Sequence, residues 1–467
     1  MSMALFDGKK ALTREKRCGA ISHYHGTFES LLRDGAGNGY EQRIRTFSQS
    51  GPGEIVYALQ ALNGIPGAAL VIHGGAGCAA AGPRPGFGRG PAWYTTNLNE
   101  SDTILGGDKK LRAAAVRAYK ENRAEIIFIV GTPVNAINND DIEAVILELE
   151  EEIACPVVYV AVNGFETKNA LSGYDAVFHA FLKHITQPPQ KPEKPFVNLF
   201  SVSENPGNVA AVAKLLAQIN IPCNLSPRFS GVEGIRRASS ALFSVSLNDT
   251  EGGYFLAGLE EQYGVPFVKT SPPVGTAATA EFLLTLAGRF GRGKEAEDLI
   301  RRETRAAAGV CGRKPLAGKT IFLEMDLSRA LGFSALAEEL GGGLTGLSIP
   351  YFDPSYAAQM NGFAQLSPAA PLIVAQGQQF EIINTLAKHP SDFFVGASGS
   401  AAAVSRLGIY PLPTDNLVFY GYRGVEETSR QIVKAQTKIF PPNTACSPYS
   451  PAWLKRSGNW YVKVEVK

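Results

Sequence analysis

The sequence predicts an α/β protein made of successive units with parallel sheets, and three observations carry that prediction. Short apolar runs recur along the chain, among them Ala69–His73, Glu125–Val130 and Val157–Val162. Each leads into a turn rich in glycine, proline or asparagine, and then into an amphipathic stretch. Strands of such uniform apolarity are buried on both faces, as in βαβ units whose helices cover a parallel sheet. The 467 residues amount to about three usual domain lengths, so two or three such units are expected.

The elements follow in order. ALVIH at 69–73 leads into GGAGCAAAG, and the run at 125–130 leads into GTPVNAINNDD and a helix over 142–153. VVYVAV at 157–162 precedes a loop and an amphipathic stretch ending near His184. Thr186–Pro195 (TQPPQKPEKP) holds four prolines, which can neither continue a helix nor donate to a sheet, so it reads as a linker. VNLFSV opens a second unit, with a helix near 209–219, a strand at 223–225, a helix through 231–241 and a strand at 242–247. The spacing predicts a long helix over 276–290. A third unit begins with a strand at 319–323, continues with strands at 343–349, 372–375 and 392–395, and ends in a helix over 424–438. The resulting boundaries are 1–49 for an N-terminal extension, 50–190, 191–311 and 312–440 for three α/β domains, and 441–467 for a C-terminal tail.

Composition excludes several classes of function. Lys+Arg 45 against Asp+Glu 43 leaves a net charge of +2, so no global field recruits nucleic acid or a membrane. No apolar run approaches the ~18 residues of a membrane span, and the N-terminus lacks a secretory signal, so a cytoplasmic protein is expected. GRKPLAGKT at 312–320 fails the phosphate-loop spacing and leads into a strand instead of a helix. GFGRG at 86–90 neither follows a strand directly nor opens a helix, and no nucleophile elbow, HExxH or paired-cysteine motif is present. His23-Tyr24-His25 reads as structural, and His73, at a strand end, is expected to hydrogen-bond backbone.

The six cysteines (18, 78, 155, 223, 311 and 446) are scattered and form no disulfide framework. Cys78 stands apart, because it lies just past a buried strand and is flanked by glycines. Such a loop lets a bulky ligand approach the backbone, which suits an iron–sulfur cluster held by thiolates and hydrogen-bonded by amides. The competing reading is a packed core thiol.

HGGAGC at 73–78, TTNLNESDTILGGDKKLRAA at 95–114, GTPVNAINNDDIEAV at 131–145 and EEQYGVPF at 260–267 together resemble the component-1 subunits of nitrogenase and its relatives. The resemblance runs in order from about Ser50 to Phe440. It implies three Rossmann-like parallel-sheet αβα domains around a central cleft. It also makes Cys78, with Gly77 beside it, part of a cluster site. The other two family cysteine positions fall near Ser50 and on Thr132, and Cys18 is an unaligned further candidate. One matching thiolate implies a P-cluster-like 8Fe–7S or a 4Fe–4S cluster shared with an α-like partner in an α2β2 heterotetramer. ATP would belong to a separate iron–sulfur reductase homodimer. Asn248 stands where the resemblance puts the α-type cofactor cysteine, and DNLVFYGYRGVEE at 415–427 has no histidine, which implies a β-type subunit. The expected function is electron relay in a nitrogenase-like reductase, with methylthio-alkane reductase preferred. The alternatives are a cofactor-assembly scaffold, a nitrogenase β subunit, a dark-operative tetrapyrrole reductase subunit and a cluster-free binding protein.

Overall fold

The computed structural model describes residues 20–21, 23–36, 53–80, 91–162, 164, 169–375 and 378–437. These group into two compact units. One holds the described parts of Pro52–Glu204 and Pro222–Thr270; the other holds those of Ala20–Gly51, Asn205–Ile221 and Ser271–Lys467. Strand β1 (His23–Thr27) is an edge strand of the second unit.

In the first unit β2 (Ala68–Ile72), β3 (Ala92–Thr95), β4 (Ile126–Val130) and β5 (Val157–Val160) form a parallel sheet in the order β3-β2-β4-β5. Every residue of β2 and β4 is buried, as their continuous apolar runs require. The chain moves from β2 to β3 on one side and then to β4 on the other. Strand order therefore reverses between β2 and β4, and such a reversal opens a crevice beyond the carboxyl ends of the two strands. Helix Asp108–Asn122 packs Leu111, Ala114, Ala115 and Ala118 into this core with Ile142, Val145 and Leu149 of helix Ile142–Leu149.

A second sheet of the same unit joins β6 (Val197–Ser201), β7 (Cys223–Pro227) and β8 (Phe243–Ser246) in the order β7-β6-β8. Asn198, Asn224 and Ser244 stand level across it, and hydrogen bonds of 2.9 and 3.0 Å link their side chains. Such a polar row is tolerated in a buried sheet because its members pair. The proline stretch 186–195 connects helix Ser172–His184 to β6 inside this one unit. The reason is aromatic packing: Phe178 lies 5.1 Å from Phe200, which lies 5.3 Å from Phe255, and Phe181 lies 6.0 Å from Phe255. Burying each ring contributes roughly 1.5–3 kcal/mol, enough for two sheets to share a core across a loop that prolines keep irregular.

The second unit is built on a six-stranded sheet. Its remaining strands are β9 (Thr320–Glu324), β10 (Gly343–Ile349), β11 (Pro371–Ala375), β12 (Phe393–Gly396) and β13 (Tyr410–Pro413), in the order β1-β11-β10-β9-β12-β13. Only β1 runs antiparallel, with His23 and His25 opposite Ala375 and Ile373. His25 Nε2 lies 3.4 Å from Thr385 Oγ1, a structural use. The GRKPLAGKT loop joins helix Gly293–Cys311 to β9, so no helix N-terminus faces it. That helix was not anticipated. It buries Ala296, Leu299 and Ala307 and is otherwise largely charged. The helix expected over 231–241 divides into an α-helix, Gly231–Arg236, and a 3-10 turn, Arg237–Ser240, and the last helix begins earlier, at Gly421. No helix among the described residues is long and apolar enough to cross a membrane.

Candidate functional site

The crevice between β2 and β4 is bordered by the loops that follow β2, β3 and β4, and His73 touches all three. Its amide donates to the Val130 carbonyl at 3.0 Å, and its own carbonyl accepts from Thr132 Oγ1 at 2.8 Å. Its ring is fully buried, with Nδ1 3.2 Å from Thr96 Oγ1 and Nε2 3.1 Å from Asp140 Oδ2. The expectation of a backbone partner thus gives way to two side chains, one from each neighbouring loop. Gly74 follows where the loops come closest: a Cβ there would lie 2.5 Å from Thr132 Oγ1. Gly107 lies over the ring, and a Cβ on it would stand 2.7 Å from His73 Cε1.

The run at 95–111 acquires a physical reading. Gly74 N–H donates to Thr96 Oγ1 at 2.9 Å, and Leu98 N–H donates to the Gly74 carbonyl at 3.0 Å. Asn99 and Asp102 cap helix Glu100–Leu105 reciprocally, through bonds of 3.0 and 2.8 Å. Lys110 Nζ lies 2.5 Å from Asp102 Oδ2, and the Asn99 amide together with this ammonium holds the Asp102 carboxyl below its usual range. The capped helix ends in Ile104 and Leu105, which are 81% and 85% exposed. It packs beside helix Pro133–Asn138, whose Ile137 is 73% exposed. The two touching helices thus leave three large apolar side chains in water.

Burial pushes the His73 imidazole below its ordinary value, against the opposing pull of Asp140 and then Asp108. The ring is therefore neutral at neutral pH. A carboxylate only accepts, so the ring proton is assigned to Nε2, and Nδ1 accepts from the Thr96 hydroxyl. One directed chain results, from Gly74 N–H through Thr96 and His73 to Asp140.

Cys78 lies in the short helix Ala76–Ala79, which has no buried residue, and its thiol is half-buried. Gly77 is exposed, and among the described residues nothing lies within 4 Å of where a Cβ would be. Thr132 is fully buried with its hydroxyl committed to His73, and ligation by it would require that bond to break. Ser50 and Cys18 lie outside the described residues. Among the described residues no group of three or more His, Cys, Asp or Glu is arranged to hold a metal ion. Of the other described cysteines, burial pushes Cys223 up to about 12 and raises Cys155 and Cys311, none of which favours thiolate. Among the described residues the edge carries one half-buried thiol, which would supply one ligand of an iron–sulfur group and not a complete set. Asn248 is buried and caps helix Asp249–Tyr263, its Oδ1 accepting from Thr250 N and Oγ1 at 3.2 and 2.7 Å. Thr96, Gly107 and Asp140 had no role in the sequence reading, although the NxxD cap and the GGD helix start signal the loop that carries two of them.

A family model described as nitrogenase component 1 type oxidoreductase matches residues 55–437. The iron-molybdenum cofactor biosynthesis protein NifE of Nostoc sp. strain PCC 7120 is 25% identical over 425 residues, covering 86% of this chain and 84% of that protein. The nitrogenase molybdenum-iron protein alpha chain of Methanosarcina barkeri is 28% identical over 289 residues, 58% of this chain and 54% of its own length. Among solved structures, nitrogenase Cp1 at pH 6.5 superposes with a TM-score of 0.73 at 16% identity, over 85% of this chain and 94% of that one, a likeness of fold. The parallel sheets, the three-loop edge and a match spanning most of the chain agree: the chain belongs to the nitrogenase component 1 type oxidoreductase family.

Proposed function

We propose that this chain is a subunit of a nitrogenase-type cofactor-assembly scaffold, presenting Cys78 as one ligand of an iron–sulfur group completed elsewhere. The observation that carries the reading is its match to a NifE protein along 86% of its length. Two features of the edge support it: a single accessible thiol, and an apolar rim formed by Ile104, Leu105 and Ile137. The rim suits docking of the iron–sulfur reductase that the family resemblance implies, and the missing ligands imply a partner subunit. The relatives named above are a NifE protein and an alpha chain, so the β-type place draws no support from them. Methylthio-alkane reduction rests on no residue that reads substrate.

The test is anaerobic co-purification of the chain with its partner subunit, counting iron and sulfide for wild type and Cys78→Ala. The scaffold reading expects iron that falls sharply in the variant and a complex that activates cofactor-deficient nitrogenase. A complex that instead turns over dimethyl sulfide would favour the reductase reading. An iron-free wild-type complex, handled without oxygen, would sink both.

A further inference from the structure

We infer that His73 is the positioning residue for Cys78: the buried chain Gly74–Thr96–His73–Asp140 holds the Cys78 loop at the sheet edge. Among the described residues the geometry gives the loop little else. No residue of Ala76–Ala79 is buried, so apolar packing does not hold the helix that carries the thiol. Its fixed points lie at the root, where Gly74 is bonded on both sides, N–H to Thr96 Oγ1 at 2.9 Å and carbonyl to Leu98 N–H at 3.0 Å. His73 supplies the rest, reaching the β3 loop through Nδ1, the β4 loop through Nε2 and Thr132 through its carbonyl. Asp140 accepts from Nε2 and so leaves Nδ1 as the acceptor for the Thr96 hydroxyl. Removing Asp140 deletes one of the two side-chain bonds that fix the ring and none of the bonds of the sheet. The role rests on Cys78 being the group this edge presents, but it needs no iron.

The test therefore reads thiol position in the full-length chain. Alkylation by iodoacetamide is followed by peptide mass spectrometry at Cys78, with Cys155 and Cys311 as internal controls, in wild type, His73→Ala, Asp140→Ala and Asp140→Asn. Losing one or two buried hydrogen bonds at the root corresponds to a change of about tenfold or more in local opening. The expected result is that Cys78, half-buried in wild type, is labelled about tenfold faster in the two alanine variants, with the controls within about twofold of wild type. Asp140→Asn keeps an acceptor for Nε2 and is expected to stay near wild type. If His73→Ala does not fold, Asp140→Ala and Asp140→Asn carry the comparison alone. Unchanged Cys78 labelling in a folded alanine variant, or a rise shared by all three cysteines, overturns the positioning role. Iron loading of the same variants is a separate readout, so a failed cluster assignment leaves the labelling result interpretable.

Discussion

The four-stranded sheet of the first unit and the six-stranded sheet of the second both reverse their strand order, between β2 and β4 and between β9 and β12. They finish the resulting edges differently. In the first, the loops leave Cys78 half-buried and Ile104, Leu105 and Ile137 in water. In the second, Glu324 ends β9 and accepts from Ser400 Oγ at 3.1 Å. Gly396 closes against it, a Cβ there standing 2.7 Å from Glu324 Cβ, and Ser398 N–H is taken by Asp415 Oδ2 at 2.7 Å. Topology provides a crevice in both places, but the loops of the first present a thiol and apolar side chains, and those of the second a half-buried carboxylate.

The largest effect expected from breaking this contrast is at Glu324, whose carboxyl is pushed up to about 7 by burial, with Asp415 adding to the rise. Its ordinary value is 4.5, so between 4.5 and about 7 the folded chain holds a proton that the unfolded chain has released. Stability therefore falls as pH rises through that window, by about 3 kcal/mol in all. Glu324→Gln cannot ionise, so it should match wild type below the window and exceed it above pH 7 in urea unfolding. A wild type–variant difference independent of pH would remove the proton on Glu324 as the cause.

At the first edge the closest approach of the loops is the vulnerable point. Gly74→Ala forces a methyl against the buried Thr132 and should cost about 1–3 kcal/mol, measured by denaturant midpoint. Gly77→Ala, three residues on and in open space, should be neutral or stabilising by up to about 1 kcal/mol. Equal costs at the two glycines would contradict a loop anchored only at its root.

A smaller effect is expected from Ile104→Asp with Leu105→Asp. The pair should weaken docking of the reductase proposed above by about tenfold in a binding titration while leaving the melting temperature unchanged. A lower melting temperature with unchanged docking would make these side chains structural. Smallest of all is the stability change for Cys78→Ala. With no buried neighbour in its helix, the variant should unfold within about 0.5 kcal/mol of wild type, whatever its effect on iron loading.

Much of the fold was legible in sequence because buried parallel strands are written as continuous apolar runs. Ala68–Ile72, Ile126–Val130 and Val157–Val160 appear where ALVIH, EIIFIV and VVYVAV predict them. Helix Thr276–Phe290 also lies where its amphipathic spacing puts it. Strand β1 was missed because HYHGT carries no apolar run; it is held by backbone pairing to β11, which is distant in sequence. The proline stretch was legible as irregular chain, but not as a loop within one unit, because the Phe178–Phe200–Phe255 packing beneath it joins separate segments. Helix Gly293–Cys311 hid behind its charged face.

The sequence by itself determined the α/β class, the glycine-rich loop that carries Cys78, and the order of motifs that leads to the family. These are local properties: apolar periodicity, turn chemistry and the spacing of residue types along one chain. Only the tertiary structure decided what surrounds the thiol. His73, Thr96 and Asp140 come from three loops up to 67 residues apart, and parallel pairing of β2 with β3 and β4 brings Thr96 and Asp140 within 3.2 Å of the His73 ring. The same pairing buries the Thr132 hydroxyl against His73 and leaves Leu105 in water. Nothing local distinguishes those fates, because burial follows from which segments the sheet places side by side.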